Sequence, residues 1–148
     1  MHARDIAMPV RATRMAEPAV TALRHMLDSG LPGLVIETGS TFVVVPASQV
    51  LRVVVPRYVL DDAALGRVWD EASADSLAGR LADKRVADLL AMLDRDEDAP
   101  RHVVTGAANL VELAAVMAAA HVPLVAVVER GRLLGVVTAT TVIERILR

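Results

Sequence analysis

Four histidines, His2, His25, His102 and His121, are the side chains of this 148-residue chain best suited to hold a metal ion or carry a proton. They share no ligand spacing such as i, i+4, so they do not converge on one helix face. His25 and His121 fall at predicted helix ends, where an imidazole satisfies free carbonyls. Paired carboxylates occur at Asp61-Asp62, at Asp70-Glu71 and between Asp94 and Asp98, all in acidic or loop-like stretches where solvated faces are the simplest reading. Cysteine is absent, which excludes disulfides, thiolate nucleophiles and thiolate-ligated zinc. There is no Gly-x-Ser-x-Gly elbow, no Walker-type loop and no Gly-x-Gly-x-x-Gly. A non-enzyme that requires no metal or cofactor is the expectation.

Composition narrows the partners. Apolar residues make up 54% of the chain and aromatics only 2%, so the core is aliphatic and offers no platform for stacking bases. A net charge of −2 argues against general binding to nucleic acid or to an anionic membrane. Charge is nonetheless segregated: residues 61–98 hold eleven acids and five bases, and the remainder is mildly basic. The longest apolar stretch, Ala107 to Val128, contains Glu112 and is broken at His121 and Pro123, so it reads as a buried helix followed by a buried strand rather than a membrane span. The start, Met1-His2-Ala3-Arg4-Asp5, lacks the apolar core of a secretion signal. A cytoplasmic protein of bacterial style, without membrane insertion, is expected.

The elements that must position any site are best marked between Val122 and Thr138. Val122 to Val128 and Leu133 to Thr138 are two apolar, β-branched runs, and Gly131 lies in the polar turn between them, where a hairpin needs positive φ. A helical run, Leu110 to Ala120, precedes the hairpin, opened by Asn109 and Glu112 as a capping box. A second, Thr140 to Leu147, follows it. The same unit recurs upstream. A shift of 92 places Val43 to Leu51 over Gly135 to Ile143, Gly39 over Gly131, Glu37 over Glu129 and Thr13 over Thr105; a shift of 91 places Pro32 over Pro123 and Met26 over Met117. Ala3-Arg4-Asp5-Ile6 likewise echoes Val86-Ala87-Asp88-Leu89.

The first copy is read as a strand near Val10 to Thr13 and a helix from Glu17-Pro18 with Pro at its first position and Val20, Leu23, Met26 and Leu27 on one face. Ser29-Gly30 ends that helix; strands follow at Leu34 to Ile36 and Phe42 to Val45 around a Thr38-Gly39-Ser40 turn, then a closing element from Ala47 to Val55. The stretch 57–83 is a connector, where Asp61-Asp62 caps a helix through Leu65, Val68, Trp69 and Ala72, and Asp75 or Ser76 caps a shorter one through Leu77 and Leu81. The second copy opens at Val86, with a polar loop from Asp94 to Arg101 and a strand from His102 to Thr105. Residues 1–56 are thus a first motif, 57–83 a helical acidic connector and 84–148 a second motif. The fold class is α/β (α+β), two tandem pseudo-symmetric β-α-β-β-α motifs packed together.

Pro123 ahead of a strand, the Gly-bearing turn, and Gly135-Val136-Val137-Thr138-Ala139-Thr140-Thr141 running into a helix resemble the CBS domain, the cystathionine-β-synthase-type module; so do Val86-Ala87-Asp88-Leu89-Leu90 and Met117 near its helix end. The resemblance covers nearly the whole chain as a tandem pair, a Bateman module. It implies two motifs packed sheet to sheet with clefts between them, a homodimer, and adenosine-type regulatory ligands such as AMP, ADP, ATP or S-adenosylmethionine. The family's Gly-h-x-Thr/Ser-x-x-Asp pattern, h being apolar, is matched at Thr138, but Thr141 stands at the Asp position, and Pro46 and Gln49 occupy the corresponding places in the first motif. A carboxylate accepts from both ribose hydroxyls at once, and its loss costs about 1.5–3 kcal/mol.

On this resemblance the second-motif cleft is the stronger candidate, with Thr105, Thr138, Thr140 and Thr141 as hydroxyls, Val122 and Pro123 as the backbone that reads the base edge, and Arg14 as a phosphate contact across the pseudo-symmetry axis. The implied function is a regulatory module acting on a partner transporter or enzyme. The alternative is an interaction or scaffold protein that has lost nucleotide binding, with the acidic connector and Trp69 as its docking surface.

Overall fold

The turn at Arg130-Gly131 sets the geometry of the best-formed hairpin. Both residues have positive φ, 51° and 75°, the type I′ combination whose twist matches the strands it joins. It links β5 (Leu124–Glu129) to β6 (Arg132–Thr138) in antiparallel register from Leu124↔Thr138 to Glu129↔Arg132, interrupted by a bulge at Val127/Val128. β4 (Val103–Val104) adds to β5 in parallel, completing a three-stranded sheet of order β4-β5-β6. Residues 10–51 repeat this topology: β1 (Thr13–Arg14) runs parallel to β2 (Gly33–Glu37), which pairs antiparallel with β3 (Phe42–Pro46). The computed structural model describes residues 1–39, 41–69, 75–93 and 102–148.

Helices complete each copy: α1 (Ala3–Ile6), α2 (Ala19–Asp28) and α3 (Ala47–Val54) in the first, α6 (Val86–Leu93), α7 (Leu110–Ala120) and α8 (Ala139–Leu147) in the second. Between them lie α4 (Arg57–Asp61), a 3₁₀ turn at Ala63–Val68, a second at Ser76–Ala78 and α5 (Gly79–Ala82). The two sheets face each other through Val35, Phe42 and Val44 on one side and Leu124, Ala126 and Val136 on the other. Helices cover their outer faces, so the strands are buried on both sides and read as continuous apolar runs rather than alternating ones.

The cover is exchanged between the copies. α6, which opens the second copy, places Val86 and Leu90 against Ala22, Met26, Ile36 and Val50 of the first. α1, which opens the first, places Ala3 against Leu113, Met117 and Val142 of the second. Matching backbone bonds hold both: Ala3 N–H to Ala108 C=O at 2.7 Å and Arg4 N–H to Gly106 C=O at 3.0 Å, mirrored by Val86 N–H to Glu17 C=O at 2.9 Å and Ala87 N–H to Met15 C=O at 3.0 Å. The capping box at Asn109 and Glu112 forms as expected, with bonds of 2.7 and 2.9 Å.

Several expectations are corrected. The first strand covers Thr13–Arg14 rather than Val10 to Thr13, because the preceding segment leaves its own sheet: Met8 exchanges both backbone bonds with Val136 of β6, and Pro9 has no N–H to give. Pro18 is the N-cap of α2 rather than its first residue. That helix buries Ala19, Ala22 and Met26, while Leu27 is 70% exposed; small alanines permit close approach to the sheet, and the larger aliphatic side chains lie around the contact. In the connector, the predicted helix through Leu65, Val68 and Trp69 is a 3₁₀ turn capped by Asp62, following the separate α4, and neither buries a residue. Gly66 sits in that turn, and Trp69 leaves it extended to donate its indole N–H to the Tyr58 hydroxyl at 3.1 Å. Ser40 of the first turn, Ala72 and the loop Asp94 to Arg101 lie outside the described residues. No described helix is long and apolar enough to cross a membrane.

If the exchange holds the two copies together, a charge at Ala3 disturbs more than the chain terminus. Ala3→Asp places a carboxylate at a fully buried position and is expected to lower stability by about 3 kcal/mol or more, read as a shift of the urea midpoint. Leu113→Ala, in the same cluster, is expected to cost about 2–5 kcal/mol. A change below about 0.5 kcal/mol for Ala3→Asp would show that α1 contributes nothing to the core.

Candidate functional site

Where β6 passes into α8, the chain reverses beside the start of β5. Ala139 N–H donates to Pro123 C=O at 2.9 Å, which seats the helix N-terminus against the Val122-Pro123 backbone. Thr138 is the N-cap: its Oγ1 accepts from Thr141 N–H at 3.2 Å, and the two threonine hydroxyls lie 3.0 Å apart. Val122 is buried, Pro123, Thr138 and Thr141 are half-buried, and Thr140 is exposed. Thr138 to Thr141 thus adjoin Val122-Pro123 at this junction, the place the sequence assigns to the second-motif cleft. Thr105 does not join them. It follows β4 beside the Val128 end of β5, about 13 Å along the strand from Leu124 at ~3.3 Å per residue. Arg14 pairs in register with Glu37 at the hairpin end of the other sheet.

The equivalent junction of the first copy is built alike but carries different chemistry. Ala47 N–H donates to Pro32 C=O at 2.9 Å, whereas Pro46, the N-cap of α3, has no side-chain acceptor to offer. Beside it opens a cavity of about 290 Å³. Met8, Pro9, Val10 and Arg11 form one wall, α2 contributes Ala22, His25 and Met26, and Leu31, Gly33 and Leu34 close the strand side. Gly33 is required at this wall: a Cβ there would stand 2.7 Å from Val45 O and 2.9 Å from a Leu124 methyl.

Arg11 is fixed at the cavity by a two-pronged pair with Glu17, at 3.0 and 3.1 Å, and Glu17 also accepts from Arg14 N–H at 2.6 Å. Hydrogen bonding to Arg11 holds the Glu17 carboxyl below its ordinary range, outweighing the opposing effect of partial burial, and the same bond raises Arg11. Sequence reasoning favoured the second cleft because its threonines announce themselves; this cavity was missed. Its signal was the register that lays Leu31-Pro32-Gly33 under Val122-Pro123-Leu124.

His102 lies at the cleft end of β4, where its carbonyl accepts from Ala126 N–H at 3.0 Å. Burial pushes its imidazole below the ordinary value. Among the described residues, no three His, Asp or Glu side chains group so as to hold a metal ion.

Two acid transitions follow. The folded state resists charging His102, so the unfolded chain takes up that proton first; the penalty is absent above the ordinary histidine value near 6.5 and grows as the pH falls through it. Glu17 acts lower. Its stabilisation is complete above the ordinary carboxylate value and is lost as the pH falls through the depressed folded-state value. Thermal unfolding from pH 8 to pH 3 is expected to show both, with His102→Gln flattening the upper window and Glu17→Gln the lower. Unchanged profiles in these variants would rule out the assignments.

No protein-family model and no curated protein matches the chain. Solved structures do. A CBS domain-containing protein of unknown function from Kribbella flavida is 35% identical, with a TM-score of 0.76 over 100% of this chain and 99% of that one. The CBS domain of a CBS domain-containing membrane protein from Sphaerobacter thermophilus is 17% identical, with a TM-score of 0.66 over 97% of this chain and 86% of that one. CBSX2, solved in complex with AMP, is 19% identical, with a TM-score of 0.65 over 99% and 96%. The duplicated β-α-β-β-α unit, the sheet-to-sheet packing and the full-length identity with the Kribbella protein agree: the chain belongs to the CBS-domain family, as a tandem pair of motifs.

Proposed function

We propose that this protein is a non-catalytic regulatory module, its motifs at 1–56 and 84–148 flanking a connector at 57–83, that senses an adenosine-type nucleotide and relays its occupancy to a partner transporter or enzyme in the cytoplasm. The observation that carries this reading is the 290 Å³ cavity of the first motif, apolar on its strand side and holding a fixed guanidinium in its wall. A flat base suits the apolar wall formed with Leu31 and Leu34, and Arg11 suits an anionic group. The cleft of Val122, Pro123, Thr138, Thr140 and Thr141 is a second ligand position of the same kind, with hydroxyls in place of the carboxylate. The AMP complex of CBSX2 supports the ligand class at the level of the fold.

A homodimer is part of the proposal. Leu51 of α3 and Ile143 of α8, 92 residues apart and equivalent in the repeat, are 58% and 56% exposed, and Ile146 and Leu147 extend the same apolar strip. Two such helices in pseudo-symmetric positions suit burial against a second copy.

A scaffold role without nucleotide is the second reading, favoured by one observation: Thr138 and Thr141 already hydrogen-bond each other. Thermal-shift measurements with AMP, ADP, ATP and S-adenosylmethionine separate the two. A site filled at a hundred times its Kd adds about 2.7 kcal/mol of stability. At least one nucleotide is expected to raise Tm, Arg11→Ala to weaken its binding about tenfold, and Thr138→Ala with Thr141→Ala to abolish any contribution of the second cleft. A flat response to all four ligands would favour the scaffold.

A further inference from the structure

At the hairpin end of the second sheet, remote from the cleft at Pro123 and Thr138, a shallow basin of about 900 Å³ opens between α1 and the β5–β6 turn. Arg4, Arg130 and Arg132 surround it together with the Glu129 carboxylate, Thr105 stands at its edge, and Val128 and Leu134 also line it. Arg4 is held rather than loose: its Nε and Nη2 both reach Glu129 Oε1, at 3.0 and 2.7 Å, and its backbone N–H is bonded to Gly106 C=O. The Glu129 carboxylate takes this place because residue 106 is a glycine; a Cβ there would lie on the carboxylate itself. Among the described residues no acid pairs with Arg130 or Arg132, so two of the three positive charges stay uncompensated, in a chain whose net charge is −2.

Two further facts show that the fold does not require these arginines. The equivalent positions of the first copy are Ala87 for Arg4, through the α1–α6 echo, Thr38 for Arg130 and Ser40 for Arg132, none of them basic. Arg130 also occupies the left-handed region at φ 51°, the first central position of a type I′ turn, where Asn, Asp or Gly is at ease and a long side chain is strained. Strain retained at a solvent-exposed turn fits a side chain kept for what it contacts.

We propose that the Arg4–Arg130–Arg132 basin is a separate anion site that takes a small polyphosphate group, either inorganic or the tail of a nucleoside triphosphate. Guanidinium forks pair with phosphate oxygens two at a time; Arg130 and Arg132 offer whole forks to one multiply charged group, and Arg4, bonded to Glu129 through Nε and Nη2, adds its remaining N–H groups. The Thr105 hydroxyl supplies a neutral donor at the edge. The site does not depend on the nucleotide reading, because it lies at the other end of β5 from Pro123.

Titration of the ¹⁵N-labelled full chain with inorganic tripolyphosphate at 150 mM NaCl tests the proposal. Saturable 1:1 shifts are expected at Arg4, Thr105 and residues 129–132, with affinity at least tenfold weaker in Arg4→Ala and in Arg130→Ala/Arg132→Ala, and unchanged in the control Arg145→Ala/Arg148→Ala. Arg130→Gly relieves the turn while removing a charge, so it is expected to raise Tm yet weaken binding, a pairing that a purely structural arginine would not produce. ATP titrated into Thr138→Ala/Thr141→Ala distinguishes the sources: shifts at the basin identify the nucleotide tail, and their absence alongside tripolyphosphate binding identifies the free anion. No saturable shift at these residues, or equal weakening in the control, overturns the site.

Discussion

Reciprocal capping of the two motifs is the constraint on which the rest of this molecule depends. A three-stranded sheet with two helices leaves one edge of its outer face uncovered, and here each motif covers the other's gap with the helix that precedes it in the chain. Ala3 and Val86 are both fully buried, each in the cluster of the opposite copy. The bonds of Ala3 and Arg4 to Ala108 and Gly106 are repeated by Val86 and Ala87 to Glu17 and Met15, so the pseudo-twofold relation is written in backbone hydrogen bonds as well as in sequence. The core of each copy therefore includes a residue or more from the other's lead helix.

The same exchange explains where the cavity lies. After α1 has capped the second motif, the chain must return to the first, and it does so along β6. Met8 both donates to and accepts from Val136, at 2.8 and 2.9 Å, and the close approach is possible because Gly135 has no side chain to meet the Met8 carbonyl. The next residues, Pro9 to Arg11, wall the first-motif cavity. One short segment therefore belongs to the sheet of one copy and the cavity of the other. A shift of its backbone by a ligand must either break the Met8–Val136 pair or carry β6 with it.

These features divide sharply in how legible they were. The hairpins, the Asn109–Glu112 cap and the repeat were plain in the sequence, because they rest on local demands: positive φ at Gly39 and Gly131, the capping box itself, Pro32 and Pro123 ahead of central strands. The buried face of α2 was legible in part: Met26 is buried and Leu23 packs on the core, but periodicity weighs Leu27 above Ala22, while the sheet selects the smaller residue for close packing. The cavity was hidden for a stronger reason. Its defining wall pairs with Val136, more than 120 residues away in the chain, and no spacing rule connects Met8 to it. The Thr138–Thr141 cap, made by neighbours three residues apart, is the kind of feature that local spacing can reach.

The two copies have diverged where they are free to and not where they are tied. The exchange ties backbone rather than every side chain: Asp5 and Asp88 each accept from the backbone N–H three residues earlier at 2.8 Å, whereas Arg4 and Ala87, both bonded through their N–H, differ. At the junctions, which bear no load in the exchange, the second copy has a threonine N-cap bonded to Thr141 and the first has Pro46 with no acceptor at all. The hairpin ends differ as much, Thr38 and Ser40 standing in sequence where the second copy has Arg130 and Arg132. A duplicated fold held by its lead helices leaves both ends of each sheet open to separate chemistry, and in this chain an apolar cavity with one guanidinium, a pair of bonded threonines and a basin ringed by arginines occupy three of those positions.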